Sequence, residues 1–271
     1  MHGLGNDFVV FDARKQGLAL DATAARAIAD RRRGVGCDQV IVIEQGVNDA
    51  DVVMRIFNGD GGEVESCGNA ARCVARLLME EKDHDTVRID TLGGLLICTD
   101  AGNGMITVDM GAPNLMWDKV PLARPADTNR FALNVDGESL MVSAVSVGNP
   151  HCVLFVDDAD AAPVASLGPR IETHPMFPKR TNVEFASVRD RAHLRMRVWE
   201  RGAGITQACG SGTCAVAVAA HRRGLIDAKV EVALDGGVLA IELRESDGHI
   251  LMTGPATLSF RGEIDFAGIS A

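Results

Sequence analysis

Basic residues are in short supply. The 271-residue chain sets 27 lysines and arginines against 37 aspartates and glutamates, a formal charge of -10. That balance excludes broad attraction to nucleic acid or to an anionic membrane surface. Long apolar runs are missing too, since none reaches the roughly 18 residues that a membrane-spanning helix requires. The opening Met1-His2-Gly3-Leu4-Gly5-Asn6-Asp7 has no basic segment leading into an apolar export core. A cytoplasmic location is therefore expected, with no membrane or nucleic-acid partner. The seven cysteines show no paired Cys-x-x-Cys zinc spacing and are too sparse for a disulfide framework. No metal site is expected. What remains is 46% hydrophobic, enough to fill one large domain or two of common size.

Short alternating or β-rich apolar segments recur along the chain. They lie at Phe8 to Phe11, Val40 to Ile43, Val52 to Phe57, Val87 to Ile89, Leu95 to Cys98 and Met105 to Val108. A second series runs through Met141 to Val147, Cys152 to Val156, Val183 to Val188 and Leu194 to Trp199, then Val230 to Leu234, Val238 to Leu243 and Ile250 to Thr253. Helices are expected after Asp21, after Cys67 and after Cys209, where capping residues precede Ala- or Leu-rich stretches.

The two series carry the same punctuation. Gly5-Asn6-Asp7 before one strand answers Gly148-Asn149-Pro150 before another, Arg55-Ile56-Phe57-Asn58 answers Arg197-Val198-Trp199-Glu200, and Cys67-Gly68-Asn69 answers Cys209-Gly210-Ser211. Ordered matches of this kind imply duplication. The expected fold is α/β (α+β): two pseudosymmetric mixed domains with an active-site cleft between them. The first would comprise 1–112 plus 255–271, with Thr257 to Phe260 returning as a terminal strand, and the second 113–254.

The spacing from Asn58 to Cys67 equals that from Glu200 to Cys209, and each cysteine directly precedes small residues and a helix. First-turn N–H groups lack partners within their own helix, so they can grip a carboxylate while the local dipole favours thiolate. Two such sites facing each other would place a sulfur on either side of an α-carbon. One thiolate could then remove the α-proton while the opposite thiol returned one, inverting the centre without metal or organic cofactor. Opposed sulfurs could also be joined by oxidation. Cys37, Cys98 and Cys152 lie beside apolar or small residues, and Cys73 and Cys214 lie later in the helices; all five read as core.

The sequence closely resembles the diaminopimelate epimerase family. The resemblance rests on the opening His-Gly-Leu-Gly-Asn-Asp, Gly36-Cys37-Asp38-Gln39, Asn58 to Arg72, Gly148-Asn149-Pro150-His151, Arg180-Thr181-Asn182 and Glu200 to Cys214. It implies interconversion of LL- and meso-2,6-diaminopimelate for lysine and peptidoglycan synthesis, in a homodimer. It also implies catalysis by Cys67 and Cys209 with auxiliary roles for His151 and Glu200. Substrate contacts are implied for Asn6, Gln39, Asn58, Gly68, Asn69, Asn149, Asn182, Glu200, Arg201, Gly210 and Ser211. Asn supplies both donor and acceptor, and Arg binds carboxylate bidentately.

Asp38 and Asp60 sit in turns, where backbone hydrogen bonding is the economical role, and Glu65 reads as solvated. Three departures stand out. Relatives begin with a few more residues, which implies either exposed strand hydrogen bonds near Met1 or a misplaced start. Many relatives carry glutamate where Ile205 stands, and tyrosine where Trp199 packs; the chain has no tyrosine at all. The main alternative is another cofactor-independent racemase or epimerase, such as one resembling the proline-racemase group. The paired cysteines disfavour a phenazine-biosynthesis-like isomerase, and a noncatalytic binding protein is the reading from a different class.

Overall fold

The computed structural model describes residues 1–82 and 84–266. Contacts divide the chain into two compact units, Met1–Asp109 with the described residues from Thr253 onward, and Met110–Met252. Both are mixed α/β, as the segment pattern predicts.

In the first unit the order is β1 (His2–Gly3), β2 (Asn6–Asp12), α1 (Ala22–Ala29), β3 (Gln39–Gln45), β4 (Val52–Asn58), α2 (Gly68–Lys82), β5 (Thr86–Thr91), β6 (Gly94–Asp100) and β7 (Met105–Asp109). Strand β2 pairs parallel with β3, β3 antiparallel with β4, β4 parallel with β5, and β5 antiparallel with β6. Helix α1 starts where expected because the Asp21 side chain accepts from Ala24 N–H. Its Ala25, Ile28 and Ala29 pack with Val40, Val42 and Phe57 in one apolar cluster. Helix α2 packs on β5, β6 and β7 and buries Ala70, Ala71, Cys73, Val74, Ala75 and Leu78.

The second unit runs β8 (Phe131–Val135), β9 (Glu138–Ser146), β10 (Pro150–Phe155), α3 (Val164–Glu172), β11 (Asn182–Asp190), β12 (His193–Glu200), β13 (Gly204–Ile205), α4 (Gly210–Arg222), β14 (Lys229–Leu234) and β15 (Gly237–Arg244). Strand β16 (His249–Pro255) carries the chain back to the first unit. Here β10 pairs parallel with β11, β11 antiparallel with β12, β12 parallel with β14, and β14 antiparallel with β15. The sequence of pairings repeats that of β2 to β6. The helices fall at matching places, α1 and α3 after the first strand of the series, α2 and α4 after the third. The internal repeat read from motifs is thus also a repeat of topology.

Helix α3 was not expected. Its Gly168 and Pro169 read as breakers, and Pro163 at its N-cap supplies no side-chain cap. Tertiary packing holds it: Val164 and Ile171 enter the core with Val183 and Phe185, and glycine is needed because a Cβ at 168 would lie 2.6 Å from Trp199 Cβ and Cγ. Strand β8 and the two-residue strands β1 and β13 were likewise unanticipated.

Two expectations are corrected. Thr257 to Phe260 do not form a strand; only Thr257 pairs, exchanging 2.9 Å backbone hydrogen bonds with His2. The backbone around Met1 is not left exposed either. Its ammonium donates to Phe8 O at 2.9 Å, and Phe8 N–H returns a 2.8 Å bond to Met1 O. Among the described residues no helix is long and apolar enough to cross a membrane.

Candidate active site

In the first unit, β4 ends at Asn58 and the chain turns before α2. Asn58 N–H donates to Gly62 O at 2.8 Å and Val64 N–H to Ile56 O at 3.0 Å. Gly61 is required in that turn, since its φ is +86° and a Cβ would lie 2.1 Å from Ala22 O. The turn delivers half-buried Cys67 to the residue before α2. Asn6 Oδ1 lies 4.0 Å from Cys67 Sγ and accepts from Asn69 Nδ2 at 3.2 Å. Asn69 Oδ1 in turn accepts from Arg72, a fully buried residue, at 2.9 Å. At the other end Asn6 Nδ2 donates to Asp38 Oδ2 at 3.0 Å. The carboxylate of Asp38 also accepts the N–H of Asp7, far away in sequence, and the Arg31 guanidinium, whereas Asp60 accepts Gly62 N–H in the local bonding expected of a turn aspartate. Glu65 is exposed.

Gln39 and Asn58 face each other across the β3–β4 ladder. Gln39 Nε2 donates to Asn58 Oδ1 at 2.9 Å, while Gln39 Oε1 is buried with no partner among the described residues. A buried acceptor of that kind suits an ammonium or other N–H donor. Asn6, Gln39, Asn58, Gly68 and Asn69 are thus all in the unit that carries Cys67.

In the second unit Cys209 is itself the N-cap of α4. Its Sγ accepts from Gly212 N–H at 3.4 Å and lies 3.6 Å from Ser211 Oγ. The helix-start hydrogen bonds favour thiolate as expected, but burial opposes them at this residue. Burial pushes the Cys209 thiol well up, and the charges of Glu200 and Glu184 add to it against the Gly212 and Ser211 hydrogen bonds. Burial also raises the Glu200 carboxyl, against hydrogen bonds from Thr206 and Cys209.

His151 is completely buried. Its Nδ1 lies 2.7 Å from Glu184 Oε1 and its Nε2 lies 2.8 Å from Asn149 Oδ1, whose Nδ2 donates to Ser211 Oγ at 3.3 Å. Asn182 is occupied by the scaffold, its Nδ2 donating to Pro150 O at 3.1 Å and its Oδ1 accepting Arg201 N–H at 2.9 Å. The half-buried Arg201 reaches Lys179 O at 3.4 Å through Nη1.

Two carboxylates escaped the sequence reading. Glu184 is one. The other is Glu172, 6% exposed, which accepts Trp199 Nε1–H at 2.7 Å and Gly202 N–H at 3.1 Å. These bonds clamp both sides of the turn bearing Glu200 and Arg201, so Trp199 has a polar tie beside its packing. Ile205 is 42% exposed on β13. The remaining cysteines are core thiols: burial lifts Cys37 and Cys73 to about 11 and Cys98 to about 12. Cys152 is pushed well up by burial, and Cys214 is fully buried.

The family model described as diaminopimelate epimerase matches residues 1–116 and 143–259, segments that include both cysteine sites. The chain belongs to this family. The diaminopimelate epimerase of Rhodospirillum centenum is 52% identical, the match covering 97% of this chain and 90% of that one. The diaminopimelate epimerase of Erythrobacter litoralis is also 52% identical, over 100% of this chain and 97% of its own. Among solved structures, a hydroxyproline epimerase from Agrobacterium vitis matches with a TM-score of 0.66 at 15% identity, over 94% of this chain and 86% of that one. The last likeness is one of fold. Membership of the diaminopimelate epimerase family rests on the first three.

Proposed function

We propose that the chain interconverts LL- and meso-2,6-diaminopimelate by two-base proton transfer between Cys67 and Cys209, with neither metal nor organic cofactor. The observation that carries this reading is the repeated placement of a cysteine on the residue before a helix, after β4 and again after β12. Family membership supplies the substrate.

On this reading each unit contributes one sulfur, and the domains run over 1–112 plus 255–271 and over 113–254. The reacting carboxylate is held by first-turn N–H groups of Gly68 and Asn69 from one helix and Gly210 and Ser211 from the other. An α-hydrogen is a weak acid, so these donors matter most where charge grows during proton loss; each well-placed one contributes roughly 3 kcal/mol. One thiolate takes the α-proton and the opposite thiol delivers another to the far face. His151 and Glu200 adjust the charge around Cys209. Asn6, Gln39, Asn58, Asn149, Asn182, Glu200 and Arg201 recognise the substrate's amines and distal carboxylate. The enzyme would act as a cytoplasmic homodimer in lysine and peptidoglycan precursor synthesis.

Incubating metal-depleted protein with LL- and with meso-diaminopimelate in deuterated water tests substrate and mechanism together. Deuterium should enter the inverted centre, the meso compound should label at one end only, and Cys67→Ala and Cys209→Ala should each block inversion. Failure to invert either compound under reducing conditions would reject the substrate. A requirement for added cofactor would reject the two-thiol mechanism.

A further inference from the structure

Glu184 has no part in the two-thiol reading, yet its surroundings connect it to the sulfur. It lies two residues beyond Asn182 on β11, so both occupy one face, while Val183 and Phe185 enter the apolar core on the other. Its exposure is 0%. From Oε1 a continuous series of contacts runs to the thiol: 2.7 Å to His151 Nδ1, 2.8 Å from Nε2 to Asn149 Oδ1, 3.3 Å from Asn149 Nδ2 to Ser211 Oγ, and 3.6 Å from there to Cys209 Sγ. A second route is shorter. A Cβ on Gly212 would meet Glu184 Oε1 at 2.8 Å, Glu184 Cγ at 3.3 Å and Cys209 Sγ at 3.3 Å, so carboxylate and sulfur crowd the same glycine at the head of α4.

A structural purpose alone accounts poorly for this arrangement. Glu184 Oε2 is buried with no hydrogen-bond partner among the described residues, and enclosing a carboxylate so incompletely satisfied is destabilising compared with an apolar side chain of similar volume. Costs of that kind concentrate where function requires them.

We propose that Glu184 is a positioning residue for proton transfer at Cys209, fixing the His151 ring through Nδ1 and placing negative charge beside the sulfur. The inference rests on Cys209 being an acid-base group. The titratable groups facing Glu184 are His151 from β10, Glu200 from β12, and Cys209 at the start of α4, while Cys152 of β10 lies on the opposite, apolar face with Val183 and Phe185. Fixing Nδ1 keeps Nε2 directed at Asn149, and through Ser211 at the thiol. Burial raises the Glu184 carboxyl and the contact with His151 opposes that; in its ionised form the carboxylate favours the protonated form of Cys209, the form in which it donates.

The test uses Glu184→Gln and Glu184→Asp in the full chain, with folding checked by circular dichroism. Turnover of LL-diaminopimelate is measured from about pH 6 to about pH 9.5, spanning imidazole and thiol titration. For Glu184→Gln, kcat should fall roughly 10- to 100-fold with its pH profile displaced to lower pH, and KM should stay within about threefold. Glu184→Asp should recover part of the loss. A second arm needs no substrate: iodoacetamide labelling of Cys209, located by peptide mass, should begin at lower pH in Glu184→Gln. If that variant fails to fold, Glu184→Asp carries both arms, with smaller displacements in the same directions. Folded variants with wild-type kcat and labelling profiles, or a loss confined to KM, would overturn the inference. Wild-type protein that does not epimerise diaminopimelate would instead overturn the proposed function, and labelling would still decide the role of Glu184.

Discussion

Gly212→Ala sets two opposing effects against each other. Gly212 is the third residue of α4, and replacing a helical glycine by alanine ordinarily stabilises by about 0.5 to 1 kcal/mol through reduced freedom of the unfolded chain. Here the new methyl would stand 2.8 Å from Glu184 Oε1, with Glu184 Cγ and Cys209 Sγ each at 3.3 Å. Overpacking of a closed site costs about 1 to 3 kcal/mol, so the expected balance is a net loss of about 1 kcal/mol. Activity should suffer more than stability. Relieving the contact displaces either the carboxylate or the sulfur, and a misplacement of about 1 Å at a reacting group lowers turnover on the order of 100-fold. Urea denaturation and initial rates of LL-diaminopimelate epimerisation measure the two effects. Gly17→Ala is the control: it is exposed with nothing within 4 Å of the added carbon, and should stay within about 0.5 kcal/mol of wild type. A Gly212→Ala protein that is stabilised by the full helix increment and retains kcat would refute the close approach of Glu184 to the head of α4.

Trp199→Phe keeps most of the packing but removes the Nε1–H bond to buried Glu172, and should cost about 1 to 3 kcal/mol; an unchanged urea midpoint would count against the clamp. Arg201→Met should raise KM for diaminopimelate roughly 10- to 100-fold, the loss of one charge-assisted contact, and leave exchange on a minimal α-amino acid nearly unaltered; equal effects on both would argue against distal-carboxylate recognition. Burial lifts the Cys98 thiol from 9.0 to about 12. The folded chain therefore holds that proton where the unfolded chain releases it, so the stabilisation is complete below about pH 9 and declines above it by about 1.4 kcal/mol per pH unit. Urea midpoints from about pH 8 to about pH 10.5 should fall less steeply in Cys98→Ala, and an identical slope would sink the argument.

Most of the longer strands were legible because an apolar run is bounded by turn residues, continuous and buried over Val40 to Ile43 in Gln39–Gln45 and alternating in Lys229–Leu234. Helix α3 was not, because its local signals oppose it. Gly168 and Pro169 disfavour helix, and what retains one is the burial of Val164 and Ile171 and the fit of Gly168 against Trp199. Those contacts come from residues far along the chain. The same division holds in the candidate site. Cys67 and Cys209 declare themselves by repetition, whereas Glu172 and Glu184 look like ordinary solvated glutamates in a linear reading. One signal was available: in Asn182-Val183-Glu184-Phe185 the strand period puts Glu184 on the face of Asn182, a residue already singled out.

At Cys209 the helix start and burial act in opposite directions, and the balance bears on the proposed mechanism. A helix start favours an adjacent anion by about 0.3 to 1 kcal/mol when exposed and up to about 2 kcal/mol when partly buried, a modest downward push on a thiol. At Cys209 that effect is opposed first by burial and then by Glu200 and Glu184. The opposing effects prevail and favour the protonated form, the form that donates. Using it as a base requires its proton to leave before substrate is attacked. In that direction the sulfur acquires negative charge beside two carboxylates. The two directions of epimerisation therefore place different demands on Cys209: donation starts from the favoured form, whereas abstraction must form the thiolate in a buried site beside Glu200 and Glu184.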